Sequence, residues 1–226
     1  MPPVTTSFLD SLPPHARQAL DQFGSVRTVS AGTAFALEGE GAHRVWVVLT
    51  GLVKVTSLHP DGNELLLAIR GSGELIGELS ALDDQPRSAS VTALQATELR
   101  SLTVDEFRLY LRQVPDAALA LMAGLASRVR EADSHRVSYA AEDIPTRLAR
   151  CLVGLAEEHG TPGPDGSIEI TLPLTQQDLA GLVAGSRDAV AKILQLWRKQ
   201  GLVTTARKRV VLIDPETLAR RHGHLV

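Results

Sequence analysis

Residues 75–91 read Leu75-Ile76-Gly77-Glu78-Leu79-Ser80-Ala81-Leu82-Asp83-Asp84-Gln85-Pro86-Arg87-Ser88-Ala89-Ser90-Val91, and they bring an acceptor, a cation and a hydroxyl into one short turn. Leu75 and Ile76 end an apolar strand, Gly77 allows a tight turn, and Glu78 to Leu82 can form one helical turn whose first N–H groups are free. Such a helix start attracts an anion. Arg87 offers a planar fork that matches phosphate oxygens, and Ser88 adds a hydroxyl donor beside it. The Glu78 carboxylate only accepts, which is wasted on phosphate but suits a ribose hydroxyl. The pattern asks for a ligand carrying both a phosphate and a free 2′-OH. An ordinary surface ion pair between Arg87 and Glu78, worth little, is the competing reading.

Upstream of this turn, short apolar runs alternate with glycine: Val45-Trp46-Val47-Val48-Leu49, Leu52-Val53-Lys54-Val55 and Leu65-Leu66-Leu67-Ala68-Ile69; downstream comes Val91-Thr92-Ala93-Leu94. Asp61-Gly62 is a strong hairpin signal. Many short strands at this spacing, from about Val26 to Leu102, predict a small β-roll or jelly-roll barrel. A metal-dependent enzyme on such a barrel needs clustered histidines, whereas His43 and His59 each stand alone.

After Phe107 the period becomes helical. Pro115-Asp116 can start a long helix to about Ala141, with Met122, Leu125, Val129, Ala132, Arg136 and Tyr139 at three- and four-residue steps. That is a seam for a parallel homodimer, with packing on the chain's own barrel as the alternative. Asp143-Ile144-Pro145 then breaks the helix, with Asp143 placed to cap the next one. Gly160 to Gly166 is expected to be an exposed loop.

A second pattern runs from Leu174 to Gln200. Thr175 can cap a helix with Asp178 reaching back, Leu179, Ala180, Leu182 and Val183 form its inner face, and Ala184-Gly185 supplies a turn. Ser186 caps a second helix whose inner face is Val190, Ile193, Leu194 and Trp197, leaving Arg187, Asp188 and Lys192 outward. Two short helices about a tight turn make a helix-turn-helix. Val203-Thr204 and Val210-Val211-Leu212-Ile213 flank Arg207-Lys208-Arg209, a hairpin wing with a basic tip.

Charge follows the same division. Although the net value over 226 residues is −3, residues 1–144 hold 12 Lys+Arg against 18 Asp+Glu, while residues 171–226 hold 9 against 4. The C-terminal piece is the one able to approach a polyanion. Cys151 is the only cysteine, so no intramolecular disulfide and no chain-internal cysteine cluster for zinc or iron–sulfur can form, and a reducing cytoplasm is the default. No apolar run reaches signal or membrane-span length. Ser80, His135 and Asp133 lack any triad context, so an enzyme is not expected.

Three motifs in order, Gly77-Glu78-Leu79 with Pro86-Arg87-Ser88-Ala89, then Asp143-Ile144-Pro145-Thr146-Arg147, then Leu174-Thr175-Gln176-Gln177-Asp178-Leu179-Ala180 with Gly185-Ser186-Arg187-Asp188-Ala189-Val190, resemble the Crp/Fnr (catabolite activator protein) family over almost the whole chain. The resemblance implies an α+β protein: a cyclic-nucleotide-binding β-roll over 1–116, a dimerisation helix and hinge over 117–143, and a winged helix-turn-helix over 144–226. It implies that Gly77, Glu78, Leu79, Arg87 and Ser88 hold the sugar phosphate of cAMP or, less expected, cGMP. The base would meet the long helix at Asp133 and Ser134, where the family's adjacent hydroxyls are not matched. A regulator that works without nucleotide is the alternative.

On the DNA side the resemblance implies contacts from Thr175, Gln176, Ser186, Arg187, Asp188, Lys192, Arg207, Lys208 and Arg209 to a palindromic operator. Arg187 is suited to guanine O6 and N7. Asp188, Lys192 and Ala184 each depart from the usual family residue. The implied partners are double-stranded DNA, a second copy of the chain and RNA polymerase; no metal, haem or iron–sulfur cofactor is implied. A nucleotide-binding module that regulates an attached enzyme is a further alternative, weakened by the winged helix.

Overall fold

The computed structural model describes residues 6–58, 64–206 and 209–222. The Asp61-Gly62 hairpin, His59, and the wing cations Arg207 and Lys208 lie outside the described residues. Contacts divide the chain into two compact units, one made by residues 6–58 with Leu67–Ala132, the other by residues 64–66, the first part of a strand, with the described residues from Asp133 onward. The division falls inside the long helix.

The first unit opens with two short helices, α1 (Phe8–Ser11) and α2 (Pro14–Leu20). The strands β1 (Ser25–Val29), β2 (Ala34–Ala36), β3 (Arg44–Thr50), β4 (Val53–Leu58), β5 (Glu64–Arg70) and β6 (Leu75–Ile76) follow. Next come the helix α3 (Glu78–Asp83), the strands β7 (Ser90–Ala93) and β8 (Thr97–Thr103), and the helix α4 (Val104–Gln113). They form two four-stranded sheets, in the orders β1-β8-β3-β6 and β2-β7-β4-β5, which realise the expected β-roll.

The unbroken apolar run of β3 has a simple cause: the strand is buried on both faces. Trp46 and Val48 point into the roll with Val29, Val53, Val91 and Leu99. Val45 and Val47 point the other way, to a second core with Phe8, Leu20, Phe107 and Tyr110 that seats the helices. Tyr110 donates to the Ala16 carbonyl at 2.9 Å, and burial pushes its phenol up to about 12. α4 is closed by a capping box, with Thr103 accepting from the Glu106 amide and Glu106 accepting from the Thr103 amide.

The long helix α5 (Pro115–Ala141) has 27 residues, about 40 Å of rise. Its first turns bury Ala117, Ala120 and Leu121 against the chain's own roll, with Leu125 packed beside them. Of the expected seam positions, Leu125 is half-buried against the roll, while Met122 and Val129 are exposed, as is Val137. One face of the helix packs on the chain's own roll and another is left exposed.

The second unit contains α6 (Ile144–His159), β9 (Gly160–Pro162), β10 (Ile168–Ile170), α7 (Gln176–Leu182), α8 (Arg187–Lys199), β11 (Val203–Ala206), β12 (Arg209–Leu212) and α9 (Pro215–His222). Its sheet runs β11-β12-β10-β9, all antiparallel. The expected loop from Gly160 is corrected: its first residues pair with β10, Gly160 opposite Ile170, so it is a hairpin. The amphipathic helices meet over a core that includes Leu148, Leu152, Leu179, Val190, Leu194, Trp197 and Leu218.

Candidate functional site

In the first unit the turn at Gly77 positions the site. Gly77 has φ 80°, and a Cβ there would lie 2.2 Å from an Arg87 guanidinium nitrogen, so both the backbone and the close approach require glycine. Arg87 is buried, at 6% exposure, and its fork is aimed inward. One Nη donates to the Gly77 carbonyl at 2.8 Å and the other to the Arg44 carbonyl, with the guanidinium 5.1 Å from the centre of the Trp46 ring. Burial lowers its pKa, opposed by the nearby Glu78 and Glu40 carboxylates. Its main chain is pinned on both sides, by Arg87 N to the Glu40 carbonyl at 2.8 Å and Gly39 N to the Arg87 carbonyl at 2.9 Å.

Glu78, at 3% exposure, is ion-paired with Arg128 on α5, and Arg128 also donates to the Leu75 carbonyl at 3.2 Å. The competing picture of a simple Arg87–Glu78 surface pair gives way to one in which the carboxylate is tied to the long helix. Arg128 was not singled out from the sequence. Its signal is positional: it lies three, four and seven residues after Leu125, Gly124 and Leu121, on the helix face that packs on the roll. Glu78 and Arg128 line a groove together with Ser7, Ser11, Glu74 and Gly124. Ser88 and Leu79 are exposed. Asp133 and Ser134 are exposed residues of the second unit, and Asp133 forms an i,i+3 ion pair with Arg136 at 3.6 Å.

The second unit builds its surface from capped helices. Thr175 and Asp178 form the predicted capping box, with the Thr175 amide donating to Asp178 Oδ2 at 2.7 Å and the Asp178 amide to Thr175 Oγ1 at 3.1 Å. Ser186 caps α8 by accepting from the Ala189 amide at 3.1 Å. The left-handed residue of the turn is Ala184, at φ 46°. With Val190, Leu194 and Trp197 sunk into the core, Arg187, Asp188 and Lys192 are exposed together on the first turns of α8. Thr175 is exposed and Gln176 half-buried. In the wing, Arg209 reaches Glu169 of β10 at 3.3 Å.

A buried arginine joins the end of the long helix to this motif. Arg147 Nε donates to the Val183 carbonyl at 2.8 Å, its Nη groups reach the carbonyls of Glu142 and Ala184, and it lies 5.4 Å from the Tyr139 ring centre. Beside it, Glu142 accepts from Arg150 at 2.6 Å and from Ser138 at 2.8 Å; the Arg150 bond first, and Ser138 with it, holds the Glu142 carboxyl below its usual range. Asp143 caps α6 through the Thr146 amide at 2.9 Å. Cys151 is half-buried as a residue, but its thiol is shut from water, which pushes it up to about 12.

A model of the cyclic nucleotide-binding domain matches residues 26–113, and a model of the Crp-like helix-turn-helix domain matches residues 146–221. The CRP-like cAMP-activated global transcriptional regulator of Mycobacterium tuberculosis is 35% identical over 84% of this chain and 84% of its own. The cyclic AMP receptor protein of Thermus thermophilus is 32% identical over 78% of each. Among solved structures, that of the c-di-GMP responsive global regulator CLP of Xanthomonas campestris has a TM-score of 0.76 at 25% identity, over 89% of this chain and all of that one.

Proposed function

Because the chain belongs to the Crp/Fnr family of transcription regulators, we propose that it is a homodimeric operator-binding regulator gated by a cyclic nucleotide, with cAMP ahead of cGMP. The observation that carries the gating is the ion pair between buried Glu78 and Arg128. A 2′-OH that donates to Glu78 competes with, or joins, a bond that belongs to α5. Cyclic phosphate offers the same choice to Arg87, whose present acceptors are main-chain carbonyls. Both groups gain or exchange a partner when ligand binds, and only a difference in affinity between two conformations can shift their populations.

α5 carries the change because it is one continuous helix from Pro115 to Ala141. Its exposed Met122 and Val129 fit a partner copy of the same helix, and Arg147 holds its end to the turn before α8. On α8, exposed Arg187 has the fork that suits bidentate contact with guanine, and Lys192 and Arg209 have charges that suit nearby phosphates. A dimer of such motifs reads a palindrome with half-sites about one helical turn apart. The protein acts by binding rather than catalysis, in the cytoplasm, with RNA polymerase as the downstream partner. Among the described residues no helix is long and apolar enough to cross a membrane.

One observation favours a second reading. Glu78 and Arg87 already have protein partners, an arrangement compatible with a regulator that holds its active form without nucleotide. Titrating nucleotide-stripped protein with cAMP and cGMP, alongside mobility shifts on operator DNA with and without each, separates the two. Nucleotide uptake with a nucleotide-dependent shift supports gating; an unchanged shift and no heat of binding supports the second.

A further inference from the structure

The short helix after Gly77 is held at its far end by a residue outside the cassette. α3 has six residues and ends on Asp84, a non-glycine residue at φ 57°, ψ 20°. So short a helix leaves carbonyls at its C-terminus without intrahelical donors, and a left-handed aspartate persists only where its surroundings hold it. Arg108, on α4, meets both needs. Its Nε donates to the Ala81 carbonyl at 2.8 Å and its Nη2 to Asp84 Oδ1 at 2.6 Å.

From there the chain returns to Arg87 through local ties. Asp83 accepts from the Gln85 amide at 3.1 Å, the Ser80 hydroxyl donates to the Pro86 carbonyl at 3.3 Å, and Arg87 is pinned to residues 39–40. The segment is slung between two anchors, Arg108 at the α3 end and the turn at Glu40 at the other. Both hydrogen bonds of Arg108 go to α3 and its cap, not to Glu78, Arg87 or Ser88.

We propose that Arg108 is a positioning residue for anion binding: by fixing the C-terminal end of α3 and the left-handed turn at Asp84, it sets where Arg87 and Ser88 meet the phosphate of a cyclic nucleotide. This rests on the nucleotide reading above and deepens it. Because α4 passes into α5 through Val114 alone, the same tie links any shift of the cassette to the start of the long helix.

The test is titration of nucleotide-stripped, full-length protein with cAMP and with cGMP, each variant's unfolding midpoint being measured in parallel. Arg108→Gln is expected to weaken binding about tenfold while the midpoint moves by less than about 3 °C. Arg108→Lys, which keeps the charge but loses the fork, should recover part of that loss. Asp84→Gly, which removes the carboxylate that Arg108 holds and frees the turn to leave the left-handed region while the Ala81 bond stays in place, should cost about threefold. In a Ser88→Ala background the Arg108→Gln effect should shrink, because part of what Arg108 positions is gone.

Unchanged affinity in Arg108→Gln overturns the proposal, as does a loss that tracks a fall in midpoint and is the same with or without Ser88. If Arg108→Gln does not fold, Asp84→Gly decides, and full affinity there overturns it. Binding by wild type with no effect of any variant sinks this proposal alone; no uptake of cAMP or cGMP by wild type sinks the nucleotide reading and this proposal with it.

Discussion

The two sites of this protein are built in opposite ways. In the roll, Glu78 and Arg87 are sunk to 3% and 6% exposure and bonded on several sides, so they belong to the fold as much as to the proposed nucleotide site. On α8, Arg187, Asp188 and Lys192 stand in solvent while Val190, Leu194 and Trp197 do the packing. A buried charge is costly to leave unpaired, whereas an exposed one near a helix start is nearly free to change. The exposed residues of α8 can therefore change without endangering the fold, and Glu78 and Arg87 cannot.

Removing Arg128 is the strongest way to break that contrast. Arg128→Ala leaves the Glu78 carboxylate buried without its cation and should cost about 3 kcal/mol in urea unfolding of the roll, with Glu78→Gln in the same chain recovering much of it. No loss would mean that the cassette is as independent of the fold as α8. Arg187→Ala should behave in the opposite sense, weakening operator binding by about 1–3 kcal/mol with stability unchanged to within about 0.5 kcal/mol. A matching fall in stability would erase the distinction.

A smaller effect follows from Glu142. Its carboxyl is held below its ordinary 4.5 by Arg150 and Ser138, so the unfolded chain binds the proton more readily. The stabilisation is fully present at neutral pH and is lost as pH falls below that range. The second unit's unfolding midpoint should drop more steeply in acid for wild type than for Glu142→Gln, and parallel profiles would remove Glu142 from the hinge. Smallest of all, Ala184→Gly should relieve the left-handed turn and raise stability by about 0.5 kcal/mol in the same assay. A loss instead would show that the alanine methyl group packs usefully.

What was legible in the chain was local. Thr175 with Asp178, Ser186 and Asp143 were readable as caps because a cap bonds an amide three residues on, a distance the sequence itself displays. The β-roll was readable from glycine-punctuated apolar runs, although the helices α1 and α2 were not, since pieces so short carry little periodic signal. The seam of α5 was half legible: periodicity identified apolar positions, but only packing divided Leu125 from Met122 and Val129.

The sequence by itself determined the order of the parts, the acceptor–cation–hydroxyl turn at Gly77 to Ser88, and a capped helix-turn-helix with Arg187 outward, because each depends on residues a few positions apart. Tertiary structure decided who holds them. Arg128 lies fifty residues from Glu78, Arg108 twenty-four from Asp84 and Arg147 thirty-six from Val183. An arginine's long side chain can reach any carbonyl or carboxylate that the fold brings near, and no spacing along the chain records which one.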